Sequence, residues 1–203
     1  MKEYSPFDTH AERYEAWFDE NEYVYASKLR AMRTLLPAGS EGVEIGVGSG
    51  RFAVPLGIRV GVEPSKEMRA IARTKGIEVI DGVAESLPFE DERFDVALMV
   101  TTLCFLDDAA ASFDEAYRVL RPGGAFIVAF VDRGSPLGAK YMARKEESLF
   151  YKKATFYSAQ DVIAFYEQAE FTDLSCVQTS FAIQKRSVRS NRSRKVMARD
   201  CFS

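Results

Sequence analysis

The stretch VEIGVGSGRF, Val43–Phe52, constrains the fold of this chain more than any other: a short apolar segment runs into glycines at 46, 48 and 50. Alternate glycines let a backbone bend sharply past the end of a strand and bring amide N–H groups against a ligand, because no Cβ blocks the approach. Further apolar segments follow at intervals, "IRVGVE", "IEVID", "FDVALMV" and "GAFIVAFVD", each separated from the next by a helical or loop segment. Strands that alternate with crossovers in this way pair in parallel and need helices on both faces. The predicted fold class is therefore α/β, a three-layer sandwich around a mostly parallel central sheet.

The helices carry their own punctuation. Ser65 is placed to cap "KEMRAIARTKG", which Gly76 ends; Asp108 opens "AAASFDEAYRVL" before "RPGG"; and Ser158 caps "AQDVIAFYEQAEF". Upstream, Tyr14, Trp17, Phe18, Val24, Tyr25, Leu29, Met32 and Leu35 recur at helical spacing, with a break near "DENE", so two helices are expected before "PAGSEG". Residues 1–36 read as an N-terminal helical lid, 37–184 as the main domain and 185–203 as a basic tail, solvated or unfolded. "RFAVPLG" is too short for a full crossover helix and, with Pro55 inside it, has room for about one or two turns. "DLSCVQTSFAI" alternates as a sixth strand.

Composition narrows the function classes. A chain of 203 residues, 47% of them hydrophobic, fits one domain. Runs such as "VALMVTTLCFL" are too short and too polar to span a bilayer, and "MKEYSPFDTH" lacks a signal pattern, so a cytoplasmic protein is expected. Three dispersed cysteines and the single His10 argue against a disulfide framework and a zinc site; the expected metal complement is none. Within a net charge of −3, residues 185–203 hold seven Lys/Arg against Asp200 alone, leaving the rest at −9. Such a tail is either a solvated or disordered terminus or a contact for nucleic acid or an anionic membrane.

The glycine turn departs from the dinucleotide fingerprint G-x-G-x-x-G: its third glycine comes one position early, and Arg51 stands in the proper place. Glu63, 17 positions after Gly46, ends the second strand, where a carboxylate can accept hydrogen bonds from vicinal ribose hydroxyls. "DGVAESLPF" then supplies small residues where an adenine could lie. Together with "GVEPS", "GVAESLPFEDERFDVALMVTTLCFLDD", "EAYRVLRPGGAFIV" and "FYSAQDVIAFYEQAEF", the turn resembles the class I S-adenosylmethionine-dependent methyltransferases of the ubiquinone/menaquinone-methyltransferase-like (type 11) group, over Tyr14–Phe171.

The resemblance implies a Rossmann-like fold with S-adenosylmethionine as cofactor and S-adenosylhomocysteine as product. It implies that Glu44, Gly46, Gly48 and Gly50 hold the methionyl end, Glu63 the ribose, Pro64 and Met68 an adenine face, and Ala84 and Glu85 the adenine edge. Val83 replaces the aspartate often found facing the adenine amino group. The family closes its sheet with an antiparallel hairpin of strands six and seven, which residues 185–203 do not resemble well, so strand seven is either absent or very short and displaced and the C-terminal hairpin incomplete. Tyr14, Trp17 and Phe18 either close over the cofactor or pack in the core.

Methyl transfer from a sulfonium is an in-line displacement that alignment alone accelerates, so no protein nucleophile is required. An amine needs to arrive unprotonated; a hydroxyl needs a base. The catalytic residue is unknown: His10, Asp132, Tyr14, Tyr141, Tyr151 and Tyr157 are candidate bases, each with an ordinary structural role as the alternative. Cys104 follows the fourth strand but lacks the proline of pyrimidine C5-methyltransferases and reads as a small buried residue. Asp132–Tyr157 is where the fold usually inserts its acceptor-selecting cap. The expected function is methylation of a small molecule at N, O or C by a monomer or weak homodimer. The alternatives are a non-catalytic binding or regulatory protein, a nucleotide-dependent reductase, and a nucleic-acid methyltransferase using the tail.

Overall fold

The computed structural model describes residues 5–177. Five strands, β1 (Gly42–Ile45), β2 (Val60–Val62), β3 (Glu78–Ile80), β4 (Phe94–Val100) and β5 (Leu120–Ala129), pair in the order β3-β2-β1-β4-β5. Every pairing is parallel. The order reverses between β1 and β4, which opens a crevice at the carboxyl ends of the central strands. The register of β5 shifts against β4: Phe94 faces Leu120 but Val96 faces Ala125, so "RPGG" bulges out of the strand, with Gly123 at φ 81°.

Side-chain alternation divides the core in two. Ala97 and Met99 of β4 and Phe126 and Val128 of β5 pack with Phe113, Ala116 and Val119 of α6 (Ala109–Val119) and Ala159 and Val162 of α8 (Ala159–Gln168). The alternate residues Val96, Leu98, Val100, Ile127 and Ala129 pack against the other face. There they meet Phe18 of α2 (Ala11–Glu20), Leu29 and Met32 of α3 (Glu22–Leu35), Ala53 of α4 (Ala53–Leu56) and Ala72 of α5 (Lys66–Thr74). A period of two on strands that are buried on both sides gives these three layers.

The predicted caps form. The Ser65 hydroxyl accepts from Met68 N–H, the Asp108 carboxylate from Ala111 N–H, and Ser158 and Asp161 make a reciprocal capping box. The crossover after β1 is the single turn α4, with Pro55 within it. Ahead of α2 lies a short helix not anticipated from the sequence, α1 (Ser5–Thr9), and α7 (Pro136–Ala143) follows β5. Of the expected sixth strand, residues 173–177 form no strand, and 178–183 lie outside the described residues, as do the closing hairpin and the basic tail 185–203.

Candidate active site

A cavity of about 560 Å³ occupies the crevice, walled by Gly46 beyond β1, Val62 and Glu63 at β2, Val100–Thr102 at β4 and Val131 beyond β5. Of the sequence-derived site residues, Tyr14, Gly46, Gly48, Glu63, Pro64, Met68, Ala84 and Glu85 line it; Glu44 and Gly50 do not.

Glu63 is 8% exposed and held from both sides: Oε2 accepts from Gly48 N–H and Oε1 from Ser65 N–H, each at 2.9 Å. One carboxylate thus joins the glycine turn to the start of α5, and each oxygen keeps a further lone pair for a ligand. Burial pushes its pKa up to about 7, against the opposing pull of those two amides. Arg69 braces the same corner by donating to the Glu63 and Pro64 carbonyls at 2.8 Å.

The amides of the three glycines, expected from the sequence to lie against a ligand, each donate to an acceptor within the protein. Gly46 N–H donates to Val62 O at 2.8 Å, Gly48 N–H to Glu63 and Gly50 N–H to Val47 O at 2.9 Å. The glycines act by leaving room. A Cβ on Gly46 would stand 2.3 Å from Thr102 Cγ2, and one on Gly50 2.4 Å from Ile77 Cδ1. Gly50 therefore belongs to the packing of the turn and does not touch the cavity. A Cβ on Gly48, where φ is 54°, would instead project into a hollow whose nearest atom is the Tyr14 hydroxyl oxygen at 3.6 Å.

Glu44 lies in β1, 1% exposed, with no hydrogen-bond partner for Oε2 among the described residues. Burial and then the nearby Glu63 raise its pKa well above the ordinary value, while the Ala53 amide opposes them. A lone buried carboxylate oxygen costs free energy unless protonated or given a donor. Glu85 spends Oε1 on the amides of Asp107 at 2.7 Å and Asp108 at 3.2 Å, which fastens the loop after β4 to the cavity wall.

The other end of the cavity is aromatic. Phe7 packs edge-on against Tyr14 and Phe105, with centroids at 5.8 and 5.1 Å, and tilted against Phe150 at 5.2 Å. Tyr151 stacks on Phe105 at 5.5 Å and meets Tyr141 edge-on at 5.0 Å. Sequence reasoning missed Phe7, Phe105 and Phe150, because no spacing links residues that only the tertiary fold brings together. The backbone is strained here: Thr101, a β-branched residue, has φ 56° and is secured by its N–H to Ala129 O at 2.7 Å.

The candidate bases separate. Burial raises the pKa values of the Tyr14, Tyr141 and Tyr151 phenols, so they serve as donors near neutral pH. His10, Asp132 and Tyr157 do not line this cavity. His10 sits at the N-terminal boundary of α2, and Asp132 Oδ1 accepts from Gly134 N–H at 2.8 Å and Ala159 N–H at 3.3 Å, tying the chain beyond β5 to α8. Cys104 is half-buried rather than buried, with Sγ 3.5 Å from Thr101 O. Among the described residues no group of three His, Cys, Asp or Glu could hold a metal, and no helix is long and apolar enough to cross a membrane.

These features fit S-adenosylmethionine: a carboxylate for a ribose diol, a hollow at Gly48, an orphaned acid oxygen behind the turn, and an apolar wall from Pro64, Met68 and Ala84. Comparison with known proteins agrees. Residues 43–128 match the model of a family described as a methyltransferase domain. The chain is similar to the crystal structure of a SAM-dependent methyltransferase from Thermotoga maritima that bears the label possible histamine N-methyltransferase. The two share 44% identity and a TM-score of 0.89, covering 98% of this chain and 96% of that one. An uncharacterised protein of Methanocaldococcus jannaschii is 46% identical over 86% of this chain and 85% of its own. A demethylmenaquinone methyltransferase of Chlorobaculum tepidum is 31% identical over 65% of this chain and 62% of its own length. The chain spans 55% of a 38% identical, uncharacterised Mycobacterium tuberculosis relative. The fold, the cavity and these similarities together establish that the chain belongs to the S-adenosylmethionine-dependent methyltransferases.

Proposed function

We propose that this methyltransferase acts on a small molecule held in the aromatic end of the cavity, beside the cofactor. In this reading Glu63 accepts hydrogen bonds from the ribose hydroxyls, and Pro64, Met68 and Ala84 face the adenine with Glu85 at its edge. The methionyl end lies over Gly46 and Gly48 under Tyr14. Glu44 offers its unpaired oxygen from behind the turn, and Gly50 contributes only through the shape of that turn. The bound cofactor supplies an electrophilic methyl group on sulfur, and the chain's part is to align an acceptor with it and exclude water.

The observation that carries the reading is the chamber of Phe7, Phe105, Tyr141, Phe150 and Tyr151, continuous with the Glu63 corner in one cavity of about 560 Å³. That is within the size range of small-ligand pockets. Phenols with raised pKa values are poor bases, which favours an acceptor that arrives with a free lone pair, above all an amine nitrogen. The label on the Thermotoga maritima relative makes amines the first class to screen.

Calorimetric titration with S-adenosylhomocysteine, with NADH and ATP as controls, comes first. Selective micromolar binding is expected, and a preference for NADH would sink the assignment of these residues to the cofactor. Transfer of labelled methyl from S-adenosylmethionine to a panel of amines, phenols and thiols then tests the acceptor. Labelling of nucleic acid with none of the small molecules would overturn that part.

A further inference from the structure

The segment formed by α1 and α2 walls both halves of the cavity: Tyr14 stands over the Gly48 hollow, and Phe7 packs against Phe105 and Phe150. Several of the contacts that tie it to the body are polar. Glu15 Oε2 accepts from Arg51 Nε at 3.0 Å and Lys75 Nζ at 2.9 Å, and Glu15 Oε1 accepts from the Ser49 hydroxyl. Arg51 also donates to the Glu15 carbonyl at 3.2 Å and to Asp19 Oδ1 at 3.1 Å. Its guanidinium lies 5.3 Å from the Phe18 ring, and its own carbonyl accepts from the Tyr25 hydroxyl. At the far end, Asp8 Oδ1 accepts from the Ser65 hydroxyl at 2.5 Å.

Arg51 directly follows the three glycines, and Glu15 directly follows Tyr14. The turn that leaves the hollow therefore also grips the helix that roofs it. Neither Arg51, Glu15, Asp19 nor Asp8 lines the cavity. Tyr14 roofs the hollow at Gly48, and lifting α2 would uncover that hollow, break the Arg51 pairs and draw Phe7 away from the aromatic chamber.

We propose that Arg51 is a positioning residue, the latch of a lid made of α1 and α2, which sets the lifetime of the bound cofactor and holds the acceptor wall in place. This rests on the reading of the Gly48 and Glu63 corner as the cofactor site. A guanidinium that pairs with two carboxylates and a carbonyl is a stronger tie than a single exposed ion pair, and salt weakens it.

The test is the dissociation rate of S-adenosylhomocysteine from the full chain, followed by stopped flow at a temperature where every variant is folded. Arg51→Met is expected to speed dissociation about tenfold while association changes by less than about threefold, and Arg51→Lys to fall between Met and wild type. Raising salt from roughly 0.05 to 1 M is expected to speed dissociation from wild type and to speed it less from Arg51→Met, where only the Lys75–Glu15 pair remains to be screened. A merely structural arginine would lower the thermal midpoint and leave both rate profiles as in wild type; that result overturns the latch. Should Arg51→Met not fold, Asp19→Asn at the exposed end of the same network replaces it, with about a twofold to threefold faster release expected. An unchanged rate there, with a salt-insensitive wild type, overturns the proposal equally. Failure of wild type to bind S-adenosylhomocysteine overturns the cofactor reading and the latch with it, whereas tight binding with unaltered release from the variants removes the latch alone.

Discussion

The two halves of the cavity are built by different means. The corner around Gly46, Gly48 and Glu63 is a backbone construction: amides, carbonyls and one carboxylate satisfy one another, and the ligand's space is whatever the missing Cβ atoms leave. The far half is a side-chain construction, in which aromatic rings from α1, the loop after β4, α7 and the segment after it meet edge-on or stacked. A backbone-built corner suits one invariant ligand, because few substitutions can reshape it. A chamber of side chains is open to change one residue at a time.

Substitutions can break or sharpen this contrast. The largest effect is expected from Gly46→Ala, where the new Cβ meets Thr102 and φ is 70°: a loss of about 3 kcal/mol or more in stability, read by denaturant unfolding, together with loss of cofactor binding. Gly48→Ala should separate the two consequences, costing about 1 kcal/mol in the fold but roughly a hundredfold in S-adenosylhomocysteine affinity by calorimetry, since its Cβ projects into the hollow. Equal losses of stability in the two variants would erase the distinction between packing glycine and ligand glycine.

Next comes Glu63→Gln, expected to weaken cofactor binding by about 2 kcal/mol at pH 8. Its carboxyl is raised from an ordinary 4.5 to about 7 in the folded, cofactor-free protein, chiefly by burial. The sign follows from linkage: folding then favours the protonated form, so the group's contribution is whole below pH 4.5 and is lost as pH rises through 7, by about 3 kcal/mol at most. Cofactor affinity should run the other way, strengthening across that window as the carboxylate forms, and Glu63→Gln should flatten both profiles. In the aromatic half, Phe150→Ala is expected to raise the acceptor KM about tenfold while S-adenosylhomocysteine affinity stays within about threefold; a large loss of cofactor affinity would show that the halves are not separable. Smallest at the site is Asp132→Ala, which should cost about 1–2 kcal/mol of stability with turnover nearly unchanged, because its carboxylate serves the Gly134 and Ala159 amides and not the cavity.

What could be read from the sequence follows the same division. The order of elements, the caps at Ser65, Asp108 and Ser158 and the truncated crossover at Pro55 are local, and each rests on a few adjacent residues. Glu63 was legible because strand end and glycine turn lie close along the chain. The direction of the glycine amides was not, since it depends on Val62 O and Val47 O as competing acceptors. Nor was the chamber, whose Phe7 and Phe150 are far apart in sequence, or the left-handed backbone at Thr101, which no preference of threonine foretells.

The match to the methyltransferase family runs from residue 43 to 128, and of the chamber only Phe105 falls inside it; Phe7, Tyr141, Phe150 and Tyr151 lie before or after. Descent can therefore transmit the reagent and vary the recipient. A lineage could exchange the flanking segments and inherit a new acceptor while the alkylating centre passed on intact. Two members of this family that differ in what they methylate should be compared first at the residues that family membership does not specify.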